Sequence, residues 1–461
     1  MTLTINPKIF REYDIRGTVD VDLSTDFAYL LGRAYAQLAK ENGVKLVAIG
    51  HDCRLTSDAY AKALIRGLND DQIETVETGM GPTPQLYFAV YNSNLGGGIQ
   101  VTGSHNPSNM NGFKICLGKK TLSGKEIQDL YHRMVKIAAS NTAPAVGKAH
   151  SFKRPTQQEY VKYMVDNCSP FVGKRKLKIV VDAGNGVGGL VGPTVLRALG
   201  AEVIELFCDP DGRFPNHHPD PTELKNIETL IAKVKSTNAD LGIGFDGDAD
   251  RIGVVDEKGN PIFGDMLVLI FAREILKTVP GSTFVADVKC SSKLFADLKK
   301  RGANPIMWKT GHSLIKNKLV ETGAQLAGEM SGHIFFKHRY FGFDDAIYSA
   351  ARLVEIMSNT TVAASELLSD LHNTVSTPEI RVDCEEERKF KIADAAKNAF
   401  KEYQVSTIDG VRIDFEHGWG LVRASNTQPV LVMRFEADSE KNLKHYQQLV
   451  TDRIKQIERS L

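Results

Sequence analysis

Three stretches of this chain follow one plan, and that repetition constrains the fold more than any other feature. The first reads VKLVAIGHDCR, a helix-like stretch, then IETVETG. The second reads LKIVVDAGNGVGG, VGPTVLRALG, AEVIELF; the third STFVADVKCSS, KLFADLKKRG, ANPIMWKTG. Each is an apolar strand, a polar or glycine loop, an amphipathic helix and a second strand. That is a βαβ pattern, in which the helix supplies the crossover that parallel strands need. Each unit is followed by another strand ending in a chemically dense loop: GGGIQVTGSHNP, ADLGIGFDGDADR and AQLAGEMSGH. Open α/β sheets bind ligands beyond the carboxyl ends of their strands. Three such ends facing one cleft would make a composite site. The irregular spacing indicates duplication with insertions rather than a solenoid.

The expected architecture is therefore α/β: three similar mixed α/β domains around a central cleft, plus a smaller C-terminal α+β domain. NTAPAVGKAHS reads as a linker, and Thr156 with Glu159 as a capping box that opens the next helix. The turn DEKGN closes the second unit. After about Asp370, STPEIRVDC reads as a strand, two helix-like stretches follow, and RIDF, WGLVRAS and PVLVMRFEA read as short strands. The expected domains are 1–150, 151–258, 259–370 and 371–461.

Composition excludes several classes. Lys plus Arg is 57 against 56 Asp plus Glu, a net charge of +1. That balance gives no global attraction to nucleic acid or anionic membrane. The longest apolar run, Met266 to Ala272, falls far short of the roughly 18–20 residues a spanning helix needs. MTLTINPKIFREYDIRG lacks the basic segment and apolar core of a secretory signal. Six cysteines, at 53, 116, 168, 208, 290 and 384, form no C-x-x-C pair. Such scatter fits a reducing cytoplasm and argues against a disulfide framework or thiolate zinc site.

DGDADR is the sharpest chemical signal. Asp246, Asp248 and Asp250 alternate, so on an extended segment their carboxylates point one way. Three carboxylates at that range repel one another unless a hard divalent cation joins them, and oxygen-only ligands favour Mg²⁺ over Ca²⁺ or Mn²⁺. An EF-hand would need glycine where Arg251 stands. A solvated acidic turn conflicts with apolar LGIGF and IGVV on either side.

The other loops are weaker alone. In TGSHNP, Asn106-Pro107 is a turn signal, and a hydroxyl beside His105 in sequence does not make a nucleophile–base pair. GEMSGH places Glu329, Ser331 and His333 alternately, suiting hydrogen bonds to a polyhydroxylated ligand and proton transfer near neutral pH. RASNTQP offers Arg423, Ser425, Asn426 and Thr427, a charged fork with neutral donors suited to a phosphate. Gly184, Gly186 and Gly189 spell a dinucleotide fingerprint, with Glu205 near the place of a ribose-binding acid. That motif explains none of the other loops, and its glycines fit tight strand–helix packing better.

Together, TGSHNP, DGDADR, GEMSGH and RASNTQP make the chain resemble the α-D-phosphohexomutase superfamily, in that family's order and over essentially the whole length. GEMSGH, with Met330 at its centre, looks most like the bacterial phosphomannomutase/phosphoglucomutase branch, and FREYDIRG and RYFGFDDAIYSAAR add to the likeness. The resemblance implies an isomerase interconverting hexose 1-phosphate and hexose 6-phosphate (mannose and glucose) through a phosphoserine and a hexose 1,6-bisphosphate. It implies that Ser104 carries the phosphoryl group, with Mg²⁺ held by Ser104, Asp246, Asp248 and Asp250. Arg16, Lys114 and His333 would transfer protons or stabilise charge. Glu329 and Ser331 would grip sugar hydroxyls. Arg423, Ser425, Asn426 and Thr427 would hold the non-reacting phosphate. Tyr13, Arg251, Lys289 and His312 would complete the cleft of a cytoplasmic monomer whose partners are phosphorylated hexoses, with no nucleic acid and no membrane.

Overall fold

The three repeated units fold into one topology. The computed structural model describes residues 4–140, 143–144, 149–425 and 429–460. In the first unit, Leu46–His51 lies parallel between Glu74–Met80 and Gly97–Val101. Lys178–Asp182 lies likewise between Glu202–Leu206 and Leu241–Phe245, and Thr283–Asp287 between Asn304–Trp308 and Leu326–Gly328. An antiparallel strand then closes the same side of each trio: Met110–Leu117, Ile252–Asp256 and Ile334–Phe336. The connections into these closing strands carry the TGSHNP, DGDADR and GEMSGH loops. Equivalent positions in three sheets thus present three different chemistries.

The first sheet also includes Ile15–Thr18 and Ser151–Lys153, and the second includes Pro261–Ile262. Central strands such as Lys178–Asp182 and Leu241–Phe245 are buried along nearly their whole length. That is why they read as continuous apolar runs rather than alternating ones. One apolar core joins the second and third sheets and reaches the first through Leu86–Val90. At that junction Phe88 packs on Tyr160 with ring centroids 5.4 Å apart, and Tyr87 on Phe343 at 5.6 Å.

The C-terminal sheet is antiparallel, with Val430–Ala437 between Gly418–Ala424 and Ile380–Asp383. Its core is separate and includes residues of helices Glu386–Ala399 and Glu440–Ser460. No helix among the described residues is long and apolar enough to cross a membrane.

Two local expectations fail. One helix, not two, follows Ile380–Asp383. The segment after it becomes strand Gln404–Ser406, paired with Val411–Phe415, and Tyr403 packs edge-on against Phe415. The capping box of Thr156 and Glu159 does not form either. Pro155 takes the cap position, the Thr156 N–H donates to the Arg154 carbonyl, and Glu159 accepts from the Arg154 guanidinium at 2.9 Å. A nearby cation is the stronger partner for that carboxylate.

The glycine fingerprint is a packing device. A Cβ on Gly186 would lie 2.7 Å from the Gly247 carbonyl oxygen, and one on Gly189 only 2.0 Å from that of Cys208. Glu205 is paired instead with Arg197 at 2.5 Å. Forcing extra volume into such contacts costs about 1–3 kcal/mol. Gly189→Ala should therefore lower the thermal midpoint by several degrees in a calorimetric scan. An unchanged midpoint would show that the close approach is not needed.

Candidate active site

Ser104 is 1% exposed and sits in the left-handed region at φ 48°. A serine there carries strain that its surroundings must outweigh. Its Oγ donates to Asp246 Oδ2 at 3.0 Å and lies 3.3 Å from His105 Nδ1. Burial, reinforced by Arg251, Arg16 and Lys114, holds the His105 pKa well below the usual histidine value, so the ring is neutral. Arg16 reaches the same loop, donating to Asn106 Oδ1 at 2.8 Å and to Asp14 at 2.8 Å.

Asp246, Asp248 and Asp250 are fully buried, and one oxygen from each lies within 4.8 Å of the others. They converge by a route other than extended alternation. The chain turns tightly after Phe245, with Ala249 at φ 56°, and the Asp250 and Arg251 amides donate back to Asp246 Oδ1 at 3.1 Å each. Asp248 Oδ2 accepts from Thr83 Oγ at 2.5 Å and Lys114 Nζ at 2.7 Å, and Lys114 also donates to Asp250 Oδ2. Thr83 opens helix Thr83–Asn92, so Asp248 also meets a positive helix end.

Burial opposes the Lys114 charge, yet Asp248 and Asp250 outweigh it and raise its pKa. Asp248 is held low against burial by Lys114 and the Thr83 hydroxyl. Asp246 is pushed well above the usual carboxylate range, by burial first and then by its two acidic neighbours. Oδ1 of both Asp248 and Asp250 is buried without a hydrogen-bond partner. Unfilled carboxylate oxygens beside the serine fit a hard divalent cation.

His333 borders this cluster. Its Nε2 accepts from the Arg251 Nε–H at 2.9 Å, while Nδ1 lies 3.0 Å from Asp344 Oδ2. Asp344 also receives Lys316 at 3.0 Å, and the Lys316 charge with the His333 contact lowers its pKa despite complete burial. The His312 ring stacks on His333, and Tyr13 packs edge-on against His312.

GEMSGH is a tight turn rather than an extended loop, because the Gly332 N–H returns to the Glu329 carbonyl and Gly332 takes φ 88°. Glu329 and Ser331 still meet, the hydroxyl donating to the carboxylate at 3.0 Å. The other Glu329 oxygen accepts the Gly311 amide at 2.7 Å, and burial raises the acid's pKa. Beyond it, Lys289 pairs with Glu379 at 3.1 Å. Arg423 donates to Asp409, which also takes the Thr310 amide; the Thr310 carbonyl accepts from Tyr13.

Ser104, Lys114, the three aspartates, Arg251 and His333 thus form one contact network. Arg16 joins it through Asn106. Glu329, Ser331, Lys289, Arg423 and Tyr13 lie outside that charged cluster. Ser425 is buried beside Val430. Asn426 and Thr427 lie outside the described residues. Sequence reasoning missed Asp344, Lys316, Thr83 and Asp409. Only Asp344 carried a signal, as part of RYFGFDDAIYSAAR.

Models described as phosphoglucomutase/phosphomannomutase alpha/beta/alpha domains I, II and III match residues 7–140, 158–259 and 263–375. The C-terminal domain model of the same family matches residues 379–453. The chain is 45% identical over 460 residues to the phosphomannomutase/phosphoglucomutase of Pseudomonas aeruginosa, covering 99% of this chain and 98% of that protein. It is 45% identical over 443 residues to a phosphoglucomutase of Neisseria meningitidis, covering 95% of each. The crystal structure of a phosphoglucomutase/phosphomannomutase family protein from Burkholderia thailandensis matches with a TM-score of 0.90 at 41% identity, covering 99% and 98% of the two chains.

The unfilled oxygens generate a test that needs no substrate. Mn²⁺ titrated into the chain and followed by electron paramagnetic resonance should bind stoichiometrically. Asp248→Asn should weaken it by about tenfold or more, because an anionic ligand is lost. Equal binding by both proteins would remove Asp248 from the cation site.

Proposed function

We infer the chemistry from one premise: the chain belongs to the phosphoglucomutase/phosphomannomutase family. It is a phosphohexomutase, an isomerase that interconverts hexose 1-phosphate and hexose 6-phosphate. The observation that carries the assignment of residues is the strained Ser104, hydrogen-bonded to one of three convergent aspartates. In this reading Ser104 is the phosphoryl carrier, and Asp246, Asp248 and Asp250 hold Mg²⁺ beside it. When bound, the cation supplies positive charge toward the oxygens of the transferring group.

Transfer breaks the bond from phosphorus to Ser104 Oγ and forms one to the free sugar hydroxyl; the serine oxygen takes up a proton as the sugar hydroxyl releases one. His333 is the proposed holder of the proton that hydroxyl releases, with Asp344 fixing the imidazole. Lys114, Arg16 and Arg251 offset the charge on the phosphoryl oxygens. The resulting hexose 1,6-bisphosphate turns end for end and returns its other phosphate to Ser104. Arg423, Ser425, Asn426 and Thr427, with Lys289, would hold whichever phosphate is not reacting. Tyr13 and His312 would line the path between the two ends. The proposed enzyme acts as a monomer, a reading supported by a set of groups that one polypeptide supplies. Its free cysteines suit the cytoplasm.

Ser104→Ala should lose several powers of ten in turnover while sugar phosphate still binds, because the relay that divides the transfer into two steps is gone. Turnover near wild type with bisphosphate present would sink the carrier assignment. Release of inorganic phosphate in place of isomerisation would mark the chain as a phosphatase instead.

The Glu329–Ser331 pair supports a further expectation. Glucose and mannose differ only at the 2-hydroxyl, and their 3- and 4-hydroxyls are equatorial in both. A half-turn of the sugar exchanges the approximate places of those two hydroxyls, so one preformed Glu–Ser pair serves both orientations. A hydrogen bond to a charged group contributes about 1.5–3 kcal/mol, or roughly ten- to a hundredfold. Glu329→Gln should therefore impair glucose 1-phosphate and mannose 1-phosphate alike in a coupled assay. An effect confined to one sugar would show that the 2-hydroxyl is read directly.

A further inference from the structure

The strained serine is held from behind by a loop that the reaction scheme leaves unused. HDCR begins on the last residue of strand Leu46–His51 and leaves its carboxyl end. Arg54 is 3% exposed, and its guanidinium faces four carbonyls of the Ser104 loop. Nη2 donates to the Ser104 oxygen at 2.7 Å and the Asn106 oxygen at 2.5 Å. Nη1 donates to the Pro107 oxygen at 2.6 Å and the Met110 oxygen at 2.8 Å. Asp52 lies 3.2 Å from Arg54 Nε and accepts the Thr102 hydroxyl at 2.7 Å. That hydroxyl in turn accepts the Ser104 N–H at 2.9 Å. Both backbone groups of Ser104 therefore end, directly or through one hydroxyl, on the same buried Arg54–Asp52 pair.

We propose that Arg54 is a positioning residue for Ser104, holding its backbone in the left-handed conformation that aims Oγ at Asp246. The inference rests on the reading of Ser104 as the phosphoryl carrier. A carrier must present the same oxygen in the same direction with and without its phosphoryl group, and a strained backbone left alone would relax away. Four carbonyls converging from one loop need a planar, multiply donating cation, and only arginine supplies one. Packing leaves the group no room to move. A Cβ on Gly103 would lie 2.6 Å from the guanidinium carbon, and the Phe214 ring lies 5.0 Å away. Phe214 comes from the second domain, so the support crosses a domain boundary.

The test uses the full chain in a coupled assay with glucose 1-phosphate, bisphosphate activator and Mg²⁺. Arg54→Lys keeps the charge but loses the fork. It should lower kcat by about a hundredfold, the size of effect expected for a 1 Å misplacement, with KM within about twofold of wild type because other loops hold the sugar. Arg54→Ala should behave likewise, and added guanidinium, but not ammonium, should restore part of its kcat. A lysine variant whose kcat stays within about threefold of wild type, or whose loss falls on KM, would overturn the proposal. So would a lowered melting temperature with normal turnover, which would leave Arg54 a purely structural group. Ser104→Ala assayed in parallel separates the two readings. If it is active, the carrier assignment fails; if it is inactive while Arg54→Lys turns over normally, only this inference fails.

Discussion

The cleft depends on one buried ammonium. Lys114 stands between Asp248 and Asp250, two carboxylates with no exposure to water. Neither acid could remain ionised there unless a cation came with it, and leaving such a charge unpaired costs about 3–5 kcal/mol. The cation belongs to the first domain and the acids to the second. Asp344 and Lys316 add a second buried pair of opposite charges in the third, beside His333. The Lys114 pairing therefore forms only when the first two domains are docked. The apolar core around Phe88, Tyr160 and Phe343 brings the sheets together, and the charges select one alignment of their hairpins.

The sequence makes the repeated units and the four loops legible because both are local properties. Strand periodicity spans a handful of residues, and each loop carries its chemistry in a continuous string. The supporting partners are a different matter. Thr83 meets Asp248 from 165 positions away, and no pattern near Thr83 announces an acid. Asp344 and Asp345 are adjacent and chemically identical, yet they serve opposite sides. Asp344 faces His333 and Lys316. Asp345 faces inward, caps helix Ala346–Ser358 and accepts the hydroxyls of Tyr160 and Tyr340. Which of the two faces the cleft is decided by the backbone at the helix start, and a string of letters does not contain that.

Alternation brings the right neighbours together through the wrong backbone in DGDADR, and in GEMSGH for Glu329 and Ser331, while His333 turns to Arg251 and Asp344. Both segments are turns, in which Ala249 and Gly332 adopt positive φ. The convergence survives because a tight turn at a strand end also places near-neighbours on one side. The strand-end position, rather than the period of two, is what carries the chemistry. By the same rule HDCR deserved a role, since it too follows the carboxyl end of a central strand. Its groups bind no ligand in the proposed reaction; they hold the neighbouring loop that does.

The C-terminal domain is joined on different physical terms. Where the first three domains share apolar surface, its own core is separate. Its seam with the third domain has an apolar point, Trp419 and Leu421 against Val288, and polar contacts around it. Asp409 takes the Thr310 amide, Glu379 takes Lys289, and Arg412 donates to the carbonyls of Val288 and Cys290. A polar contact that parts exchanges its partner for water at small net cost, whereas an apolar core that parts loses its burial outright. Thr310 lies where this matters most. Its carbonyl takes Tyr13 of the first domain, its amide takes Asp409 of the fourth, and the next amide, of Gly311, binds Glu329. Separation at Asp409 would free Arg423 and the Thr310 amide together, while the Tyr13–Thr310 and Gly311–Glu329 bonds and the Lys114 cluster would stay closed within the first three domains. The structure thus divides its labour: rigid apolar docking for the groups around Ser104, and exchangeable polar bonds for the domain that bears Arg423.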